Sequence, residues 1–361
     1  LYAVYKAFDS HDQVKHYESF KTLVTVFHQQ CEVVESKENM PCEIVIREKP
    51  LGDEIISSPH NTDARYVKKG KQSVCGQKGF LTETCDKTNQ TQFITDVEVT
   101  PATTSDVKEL PVIQKRLEAS CMRPAEQYTD AGFVNGQTIL DSREKSISLE
   151  GPSSGRSQSF ERFRAEDRPF DTADFEIKIE EDNREVTVLA CPEKQIPTSQ
   201  SRSESTGKML VHFAPEICSA CSVNTRCPVK IGKRVATLTI DEASYMGAHR
   251  HHQYMENTDY RKQCATRAGV EATVSEMVRS HGVRKSRHRT ESRTRLQLLF
   301  AAIACNVKRF IRHGLLYGYE MPGTVKTTVT GSFSHIKRVF RRIHSTFCGL
   351  NALFSLKIAL F

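Results

Sequence analysis

The stretch that decides the architecture is Arg267-Ala-Gly-Val-Glu271-Ala-Thr-Val-Ser-Glu-Met-Val-Arg279-Ser-His-Gly-Val-Arg284-Lys285-Ser-Arg287-His-Arg289. Its first half has helical spacing, because apolar residues recur three or four positions apart, at Val270, Val274, Met277 and Val278. Arg267 lies one turn before Glu271, so the two side chains share a helix face. The stretch therefore predicts a packed amphipathic helix that carries a carboxylate next to an arginine.

A dense cationic segment follows this helix. Ten lysines and arginines lie between Arg279 and Arg312, against the single acid Glu291. Such a segment beside a fixed carboxylate suits chemistry on a phosphate backbone, and the cations at 284, 285, 287 and 289 predict phosphate contacts whose strength falls with salt. The alternative is a solvated amphipathic helix with an ordinary i,i+4 ion pair and a basic surface.

Composition sets the limits of the interpretation. A chain of 361 residues can hold two domains, or one domain with a large insertion. The net charge of +7 favours anionic partners. Twelve cysteines spread over this length indicate thiols or metal ligands rather than a disulfide scaffold. The first residues show no secretory signal, and the apolar tail from Phe347 to Phe361 is interrupted by Asn351 and Lys357, so no membrane span is expected.

The first half of the chain predicts a mixed α/β sheet covered by helices. Two strands, 79–85 and 92–100, flank a polar turn, and a helix with apolar spacing follows at 106–120. A short strand at 126–130, a helix at 136–143 and a strand at 146–150 complete the series. At the other end of the sequence, an apolar stripe from Leu296 to Ile311 predicts a last helix that ends at Gly314.

A Ser/Gly/Arg-rich stretch at 151–168 predicts a boundary, and a β-rich block follows it. This block contains Cys191 and the series Cys218-x2-Cys221-x5-Cys227. Two thiolates around a tight turn, with two more nearby, are typical of a structural Zn²⁺ site, although free or buried thiols remain the alternative. The histidines of His249-Arg-His-His252 are expected to face solvent or DNA rather than a metal.

Two carboxylates lie where a nuclease built on a sheet and a helix needs them, namely Asp130 at a strand end and Glu271 on a later helix. Enzymes of this kind hold two divalent metal ions between carboxylates. A third acid is normally required, and the sequence pattern leaves four candidates open: Asp63, Asp86, Asp96 and Asp106.

Several motifs together resemble the DDE-class transposases of bacterial insertion sequences. They are Asp130-Ala-Gly-Phe133, Arg267-Ala-Gly-Val-Glu271, Arg284-Lys-Ser-Arg287-His-Arg289 and Leu296-Gln-Leu-Leu-Phe-Ala-Ala-Ile-Ala-Cys-Asn306-Val-Lys-Arg309. One subgroup also resembles the chain in Ser58-Pro-His-Asn-Thr-Asp-Ala-Arg-Tyr66, Thr82-Glu-Thr-Cys-Asp86, Gly151-Pro152 and the four cysteines. The resemblance runs in order from about residue 57 to 313.

The resemblance implies an α/β, ribonuclease-H-like fold interrupted by a β-rich cysteine-containing insertion. The expected parts are an N-terminal helical remnant (1–57), the first part of the core (58–152), the insertion (153–256), the completion of the core (257–315) and a tail (316–361). By resemblance, Asp130 is the second acid of the catalytic triad and Glu271 the third. The first acid of the family lies on an upstream Asp-Ser-Thr strand that this sequence does not contain. The chain therefore resembles an N-terminally truncated member. Asp86 falls on a neighbouring strand near the expected metals, although the family does not give it this role. If its carboxylate points away from them, the chain is expected to be inactive as given.

The expected function is metal-dependent cleavage and strand transfer of insertion-element DNA with Mg²⁺ or Mn²⁺, in a homodimer bound to double-stranded DNA in the cytoplasm. The cations expected to contact DNA are Arg267, Arg279, Arg284, Lys285, Arg287, Arg289, Lys308 and Arg309. A non-catalytic DNA-binding remnant with a zinc-ribbon-like module is the rival, and a plain metal-dependent nuclease is a third possibility.

Overall fold

The computed structural model describes residues 1–34, 43–51, 54–180, 184–317 and 357–360. These residues divide into two compact units. Unit 1 contains residues 1–80, 97–104 and 275–308, and unit 2 contains 81–96, 105–274 and 309–361. These boundaries cut the chain differently from the five parts expected above, and that division stays a prediction.

Ten α-helices lie in the described ranges: α1 Tyr2–Phe8, α2 Glu18–Gln30, α3 Asp106–Ala119, α4 Gly136–Glu144, α5 Phe160–Arg164, α6 Pro215–Ala220, α7 Glu242–Glu256, α8 Thr258–Cys264, α9 Ala268–His281 and α10 Glu291–Tyr317. The same ranges contain fourteen strands: β1 Cys31–Val34, β2 Glu43–Ile46, β3 Arg65–Lys69, β4 Gln72–Thr84, β5 Ile94–Pro101, β6 Glu126–Tyr128, β7 Ser148–Glu150, β8 Glu176–Ile179, β9 Val186–Ala190, β10 Ser199–Arg202, β11 Met209–Phe213, β12 Lys230–Ile231, β13 Ala236–Ile240 and β14 Lys357–Leu360.

Unit 1 is built from the N-terminal helices, two antiparallel strand pairs and most of α10. The ring of Phe27 on α2 stacks against Tyr2 and Tyr5 of α1, with centroids 5.5 Å from each. β1 pairs with β2, and β3 pairs with the first part of β4. On α10, Ala301 and Cys305 are buried, whereas Leu296 and Phe300 of the predicted apolar stripe are exposed. The last helix also continues through Gly314 to Tyr317, so the prediction that Gly314 ends it was wrong.

Unit 2 contains a sheet in which the last residues of β4 are followed by β14, β6 and β7. β14 is antiparallel to β4 and parallel to β6. Ala359 pairs with Glu83 on one side and with Tyr128 on the other, so these three residues form one row across the sheet. The central position of this sheet is therefore filled by the last four residues that the structure describes.

The helices of unit 2 cover this sheet as the sequence predicts. On α3, the Gln114 side chain donates to Gln127 of β6 at 3.1 Å and to Ser142 of α4 at 2.8 Å, and all three are buried. α4 packs closely on α7, because Gly136 lies against the backbone of Ala243, where an added Cβ would be 1.6 Å from the carbonyl oxygen. The mixed α/β architecture is confirmed, and it is compatible with a ribonuclease-H-like domain.

The block between α5 and α7 is β-rich, as predicted. β8 and β9 form a hairpin, and the other strands form an antiparallel sheet in the order β10-β11-β13-β12. One apolar core joins the two sheets: Phe175, Val186 and Val188 from the first pack with Val211, Leu238 and Ile240 from the second. This block is therefore a packed module with its own interior.

Replacing Ile358 by proline should destabilise unit 2 by about 1–3 kcal/mol, because proline cannot donate to the ladder of a central strand and leaves its acceptor without that hydrogen bond. Urea unfolding followed by circular dichroism measures the change. Ile44→Pro on β2, a strand of a two-stranded pair, serves as the control and should cost less. Equal midpoints for Ile358→Pro and the wild type would show that β14 does not hold the sheet together in solution.

Candidate functional site

Asp130 lies two residues beyond β6, at the carboxyl end of that strand. Its Oδ1 accepts a hydrogen bond from the backbone N–H of Gly132 at 2.8 Å, which fixes a tight turn. A Cβ added to Gly132 would lie 2.5 Å from Asp106 Oδ2 and 3.1 Å from Asp130 Oδ1. These two oxygens are therefore no more than 5.6 Å apart, the sum of the two distances. Asp106, one of the four acids that the sequence left open, therefore lies close to Asp130.

Glu271 lies in the first turn of α9 and forms the predicted ion pair with Arg267, at 2.8 Å. Helices α8 and α9 contact both Tyr128 and Glu83, which lie in one row across the sheet. Gln263 of α8 donates to the Tyr128 hydroxyl at 2.7 Å, and the Thr273 hydroxyl of α9 donates to the Glu83 carboxylate. Asp130 comes two residues after Tyr128 in the sequence. Glu271 comes two residues before Thr273, which contacts Glu83.

Asp86 lies at the opposite end of the strands from Asp130. Thr84 is level with Gln127 across Ile358, and β4 runs antiparallel to β6. Asp86 is therefore displaced from Asp130 by roughly 16 Å along the strand direction. Its carboxylate accepts from the backbone and the hydroxyl of Thr88, at 2.9 and 2.7 Å, and so stabilises the turn after β4. The structure does not bring Asp86 to the other candidate acids.

Two acids of unit 2 that the sequence did not single out are buried and paired. Glu150, at the end of β7, accepts from Arg250 at 2.9 Å and from the Tyr260 hydroxyl at 2.7 Å. Glu83 forms an ion pair of 3.2 Å with Arg309. Glu83 lies between Thr82 and Thr84, and three polar residues in a row do not show which side chain is buried. The alternation of the strand therefore did not predict the burial of Glu83.

The basic segment before α10 is exposed. Arg279, Arg284, Lys285, Arg287 and Arg289 form no ion pair with any residue that the structure describes. Their charges are therefore available to an anionic partner, as predicted from the sequence.

Lys308 and Arg309 differ from this expectation. Lys308 pairs with Glu276 at 2.7 Å. The side chain of Arg309 is only 18 % exposed, and besides Glu83 it donates to the carbonyl of Gln92 at 3.1 Å and to the Thr273 hydroxyl at 2.5 Å. The guanidinium of Arg309 already neutralises a buried carboxylate, and the expectation that Arg309 contacts DNA stays a prediction.

The four predicted cysteines surround one cavity of about 30 Å³ in the β-rich module. The backbone N–H of Gln195 donates to the Cys191 sulfur at 3.3 Å, and the N–H of Val229 donates to the Cys227 sulfur. Burial raises the pKa of the Cys218 and Cys227 thiols, and the mutual repulsion of the four thiolates raises it further. A bound divalent cation would offset the repulsion between the thiolates and lower their pKa. Hydrogen bonds from backbone N–H groups to sulfur also stabilise the thiolate form.

A second cluster was not predicted. Asp171, Asp174 and His252 are the one set of three acidic, histidine or cysteine side chains in the described chain whose ligand atoms all lie within 4.8 Å of one another. Arg156 pairs with Asp171 at 2.6 Å and Arg168 with Asp174 at 2.5 Å. Burial alone would raise the pKa of Asp171, but His252, the N–H of Ala173 and Arg156 together lower it. Two arginines therefore already pair with the two carboxylates of this cluster.

The histidines of α7 also differ from expectation. His251 is buried, with its ring 5.3 Å from that of Phe163, and its Nδ1 has no hydrogen-bond partner among the described residues. Burial and the nearby positive charge of Arg156 lower its pKa to about 4. The expectation that His251 and His252 face solvent or DNA was wrong, because α7 packs this side of the helix against the start of the β-rich block.

Comparison with known families identifies the second half of the chain. Residues 190–311 match the family model described as a transposase DDE domain, and the resemblance to DDE-class transposases is thereby confirmed. Glu271, the exposed basic segment and all four cysteines of the cavity lie inside the matched range, whereas Asp130 lies before it. No curated protein and no solved structure matches the chain. None of the described helices is long and apolar enough to cross a membrane.

Proposed function

We propose that this chain acts on double-stranded DNA as a DDE-class transposase, cleaving and joining DNA with Mg²⁺ or Mn²⁺. The observation that carries the proposal is the family match over residues 190–311, which includes Glu271 with its arginine and the unpaired basic segment. The geometry of Asp130 supports it, since Asp106 lies next to Asp130 at the end of a central strand. Carboxylate oxygens are the ligands that hard divalent cations prefer.

In this proposal Asp130 and Glu271 hold the metal ions, with Asp106 as the nearest further acid. Bound metal would activate the attacking oxygen and stabilise the leaving one. The protein's own residues position these groups: Gly132 N–H orients the Asp130 carboxylate, and Arg267 orients that of Glu271. Arg284, Lys285, Arg287 and Arg289 would bind phosphates of the DNA backbone.

Mn²⁺ binding and DNA nicking test this arrangement separately. Asp130→Asn should weaken Mn²⁺ binding about tenfold or more, because the loss of one charged ligand costs at least about 1.4 kcal/mol. Glu271→Gln and Asp106→Asn should each weaken it as well. Asp259→Asn, at an exposed acid paired with Lys262, is the matched control. Calorimetric titration with Mn²⁺ gives the affinities, and conversion of supercoiled plasmid to nicked circles gives the activity.

The outcomes separate the parts of the proposal. If Glu271→Gln binds Mn²⁺ as tightly as the control while Asp130→Asn does not, the two acids do not share a metal site. If no variant differs from the control, the metal-dependent proposal fails.

A non-catalytic DNA-binding function is the second candidate, and the position of Asp86 favours it. Asp86, which the sequence offered as a further acid, instead accepts hydrogen bonds from Thr88 and stabilises the turn after β4. A chain of this kind would bind duplex DNA with a steep salt dependence and would produce no nicks with Mn²⁺.

We further propose that the four cysteines hold a structural Zn²⁺. Zinc takes four thiolates at about 2.3 Å, which places neighbouring sulfurs about 3.8 Å apart. Because no three of the cysteine sulfurs lie within 4.8 Å of one another in the described chain, metal binding would draw them together around the cavity. Cys191 follows β9, and the other three belong to the segment between β11 and β12. Zinc would thus fasten the β8–β9 hairpin to the larger sheet.

A further inference from the structure

The end of the β-rich module that carries the cysteines is strongly basic. Between Glu216 and Asp241 the chain contains four cations and no acid. We refer to these four residues, Arg226, Lys230, Lys233 and Arg234, as the insertion rim. They fall within nine consecutive positions, and the first of them, Arg226, directly precedes Cys227.

Local structure holds the insertion rim at one edge of the module. Lys230 lies on β12, the edge strand of its sheet, paired with Thr237 of β13. Lys233 and Arg234 occupy the turn between β12 and β13, which is closed by a 3.0 Å hydrogen bond from Gly232 N to the carbonyl of Val235. An added Cβ at Gly232 would lie 2.9 Å from that carbonyl, so this turn has little room to relax.

Arg226 is held on the same segment by an aromatic contact. Its guanidinium lies 5.2 Å from the centroid of the Phe170 ring, and its carbonyl accepts a 2.9 Å hydrogen bond from Phe170 N. A cation held over a ring keeps its charge and its hydrogen-bond donors for another partner. The remaining three cations of the rim have exposed side chains.

Several other cations of the module have acidic partners, which the rim residues lack among the described residues. Other cations of the same module are paired: Lys208 with Asp241 at 2.9 Å, Lys194 with Glu176 at 3.6 Å, and Arg184 with Glu144 at 3.0 Å. No residue of the insertion rim forms an ion pair within the part of the chain that the structure describes. Two acids lie nearby: Glu193 lines the neighbouring cysteine cavity with Ile231, and Asp174 is close enough to Cys227 to raise its pKa. Asp174 is already paired with Arg168 at 2.5 Å.

A simpler explanation accounts for only part of this pattern. Lysines on an edge strand prevent pairing with another sheet, which would explain Lys230 on β12. That explanation does not apply to Lys233 and Arg234, which lie in a turn, or to Arg226, which precedes Cys227. Four cations within nine residues, none of which has an ion pair among the described residues, fit a partner with closely spaced negative charges. Duplex DNA presents one phosphate per roughly 1.7 Å of its axis.

We infer that the insertion rim is a second DNA-binding surface, which contacts the phosphate backbone of duplex DNA independently of the basic segment at 284–289. This inference rests on the proposed action on DNA and adds a contact from the β-rich module to it. Phosphate contacts fix the position of a protein on a duplex without reading its sequence. The rim would thus position the module on the DNA and contribute little to the choice of sequence.

Salt-dependent binding to a random-sequence duplex tests the inference with the full chain. Fluorescence anisotropy between about 50 and 300 mM salt gives the slope of log K against log salt concentration, which changes by about 0.9 for each phosphate that the protein no longer neutralises. The rim variant carries Arg226→Gln, Lys230→Gln, Lys233→Gln and Arg234→Gln. Its slope should be smaller in magnitude by about 3 to 4. The matched control removes the same charge from paired positions: Arg184→Gln, Lys194→Gln, Lys208→Gln and Lys262→Gln.

The variant Arg284→Ala, Lys285→Ala, Arg287→Ala and Arg289→Ala is measured in parallel. If the two surfaces act independently, the two reductions in slope should add when the eight substitutions are combined. A rim variant whose slope equals that of the matched control overturns the inference, even if the 284–289 variant binds weakly. Failure of every protein, including the wild type, to bind the duplex would instead overturn the proposed function, and the inference with it.

Discussion

Replacing Glu83 by leucine should lower the free energy of unfolding by about 3–5 kcal/mol, because it removes the carboxylate that pairs with the largely buried guanidinium of Arg309. Glu83 is 5 % and Arg309 18 % exposed at the side chain, and their charged atoms are 3.2 Å apart. The Thr273 hydroxyl would lose its nearer acceptor at the same time and keep the longer bond to the Gly269 carbonyl, at 3.4 Å. Urea unfolding of the wild type and the variant measures the difference.

A double variant separates the ion pair from general packing. Glu83→Leu combined with Arg309→Met removes both charges, and replacement of a buried pair by apolar residues is often close to neutral. The double variant should therefore be more stable than either single one. Arg267→Met, which breaks the half-exposed pair with Glu271, is the control and should cost about 1 kcal/mol or less. A Glu83→Leu variant as stable as that control would mean that the buried pair does not exist in solution.

Removal of zinc should lower the unfolding temperature by about 10 °C. A metal present at about a thousand times its dissociation constant adds about 4 kcal/mol to stability, and each kcal/mol shifts the midpoint of a domain of this size by about 2–4 °C. Scanning calorimetry with and without a chelator measures the shift, and elemental analysis gives the zinc content. Cys218→Ser should reproduce the chelator's effect and abolish any further effect of chelation.

The matched control for zinc is Cys75→Ser, since Cys75 is an exposed thiol on β4 outside the cavity. It should retain zinc and unfold like the wild type. Protein purified without zinc whose midpoint does not respond to zinc or chelator would show that the four thiols are an ordinary buried cluster. The core of Phe175, Val211 and Leu238 should leave the module partly structured even without metal.

Local patterns predicted much of the fold. β5, α3, β6, α4 and the end of β4 were found near their predicted bounds, and a β-rich block was found after residue 168, because alternation and helical spacing depend on neighbouring residues. β4 begins earlier than predicted, at Gln72. On α9, Val270 and Met277 are buried as the spacing predicted. Gly151, in the Gly-Pro pair noted in the sequence, has φ 146° and lies against the carbonyl of Thr129, where a Cβ would be 2.4 Å away.

Contacts between distant parts of the chain could not be predicted in this way. Nothing in the spacing of Thr82-Glu83-Thr84 indicates that β14 pairs with it, or that Arg309 turns inward from a run of exposed cations. The choice among four candidate acids had the same limit. Asp106 begins a helix and Asp86 ends a strand, and only the strand directions place one beside Asp130 and the other at the opposite end of the strands.

The position of β14 also has a consequence for the order of events during translation. β4, β6 and β7 leave the ribosome long before codons 357–360 are read, so the nascent chain carries two strands whose inner edges have no neighbour. Unpaired strand edges are the part of a folding intermediate that other chains and chaperones bind most readily. A chain that ends shortly before residue 357 would keep β4 and β6 without their common neighbour. Loss of residues 357–360 should therefore lower the yield of soluble protein in cells.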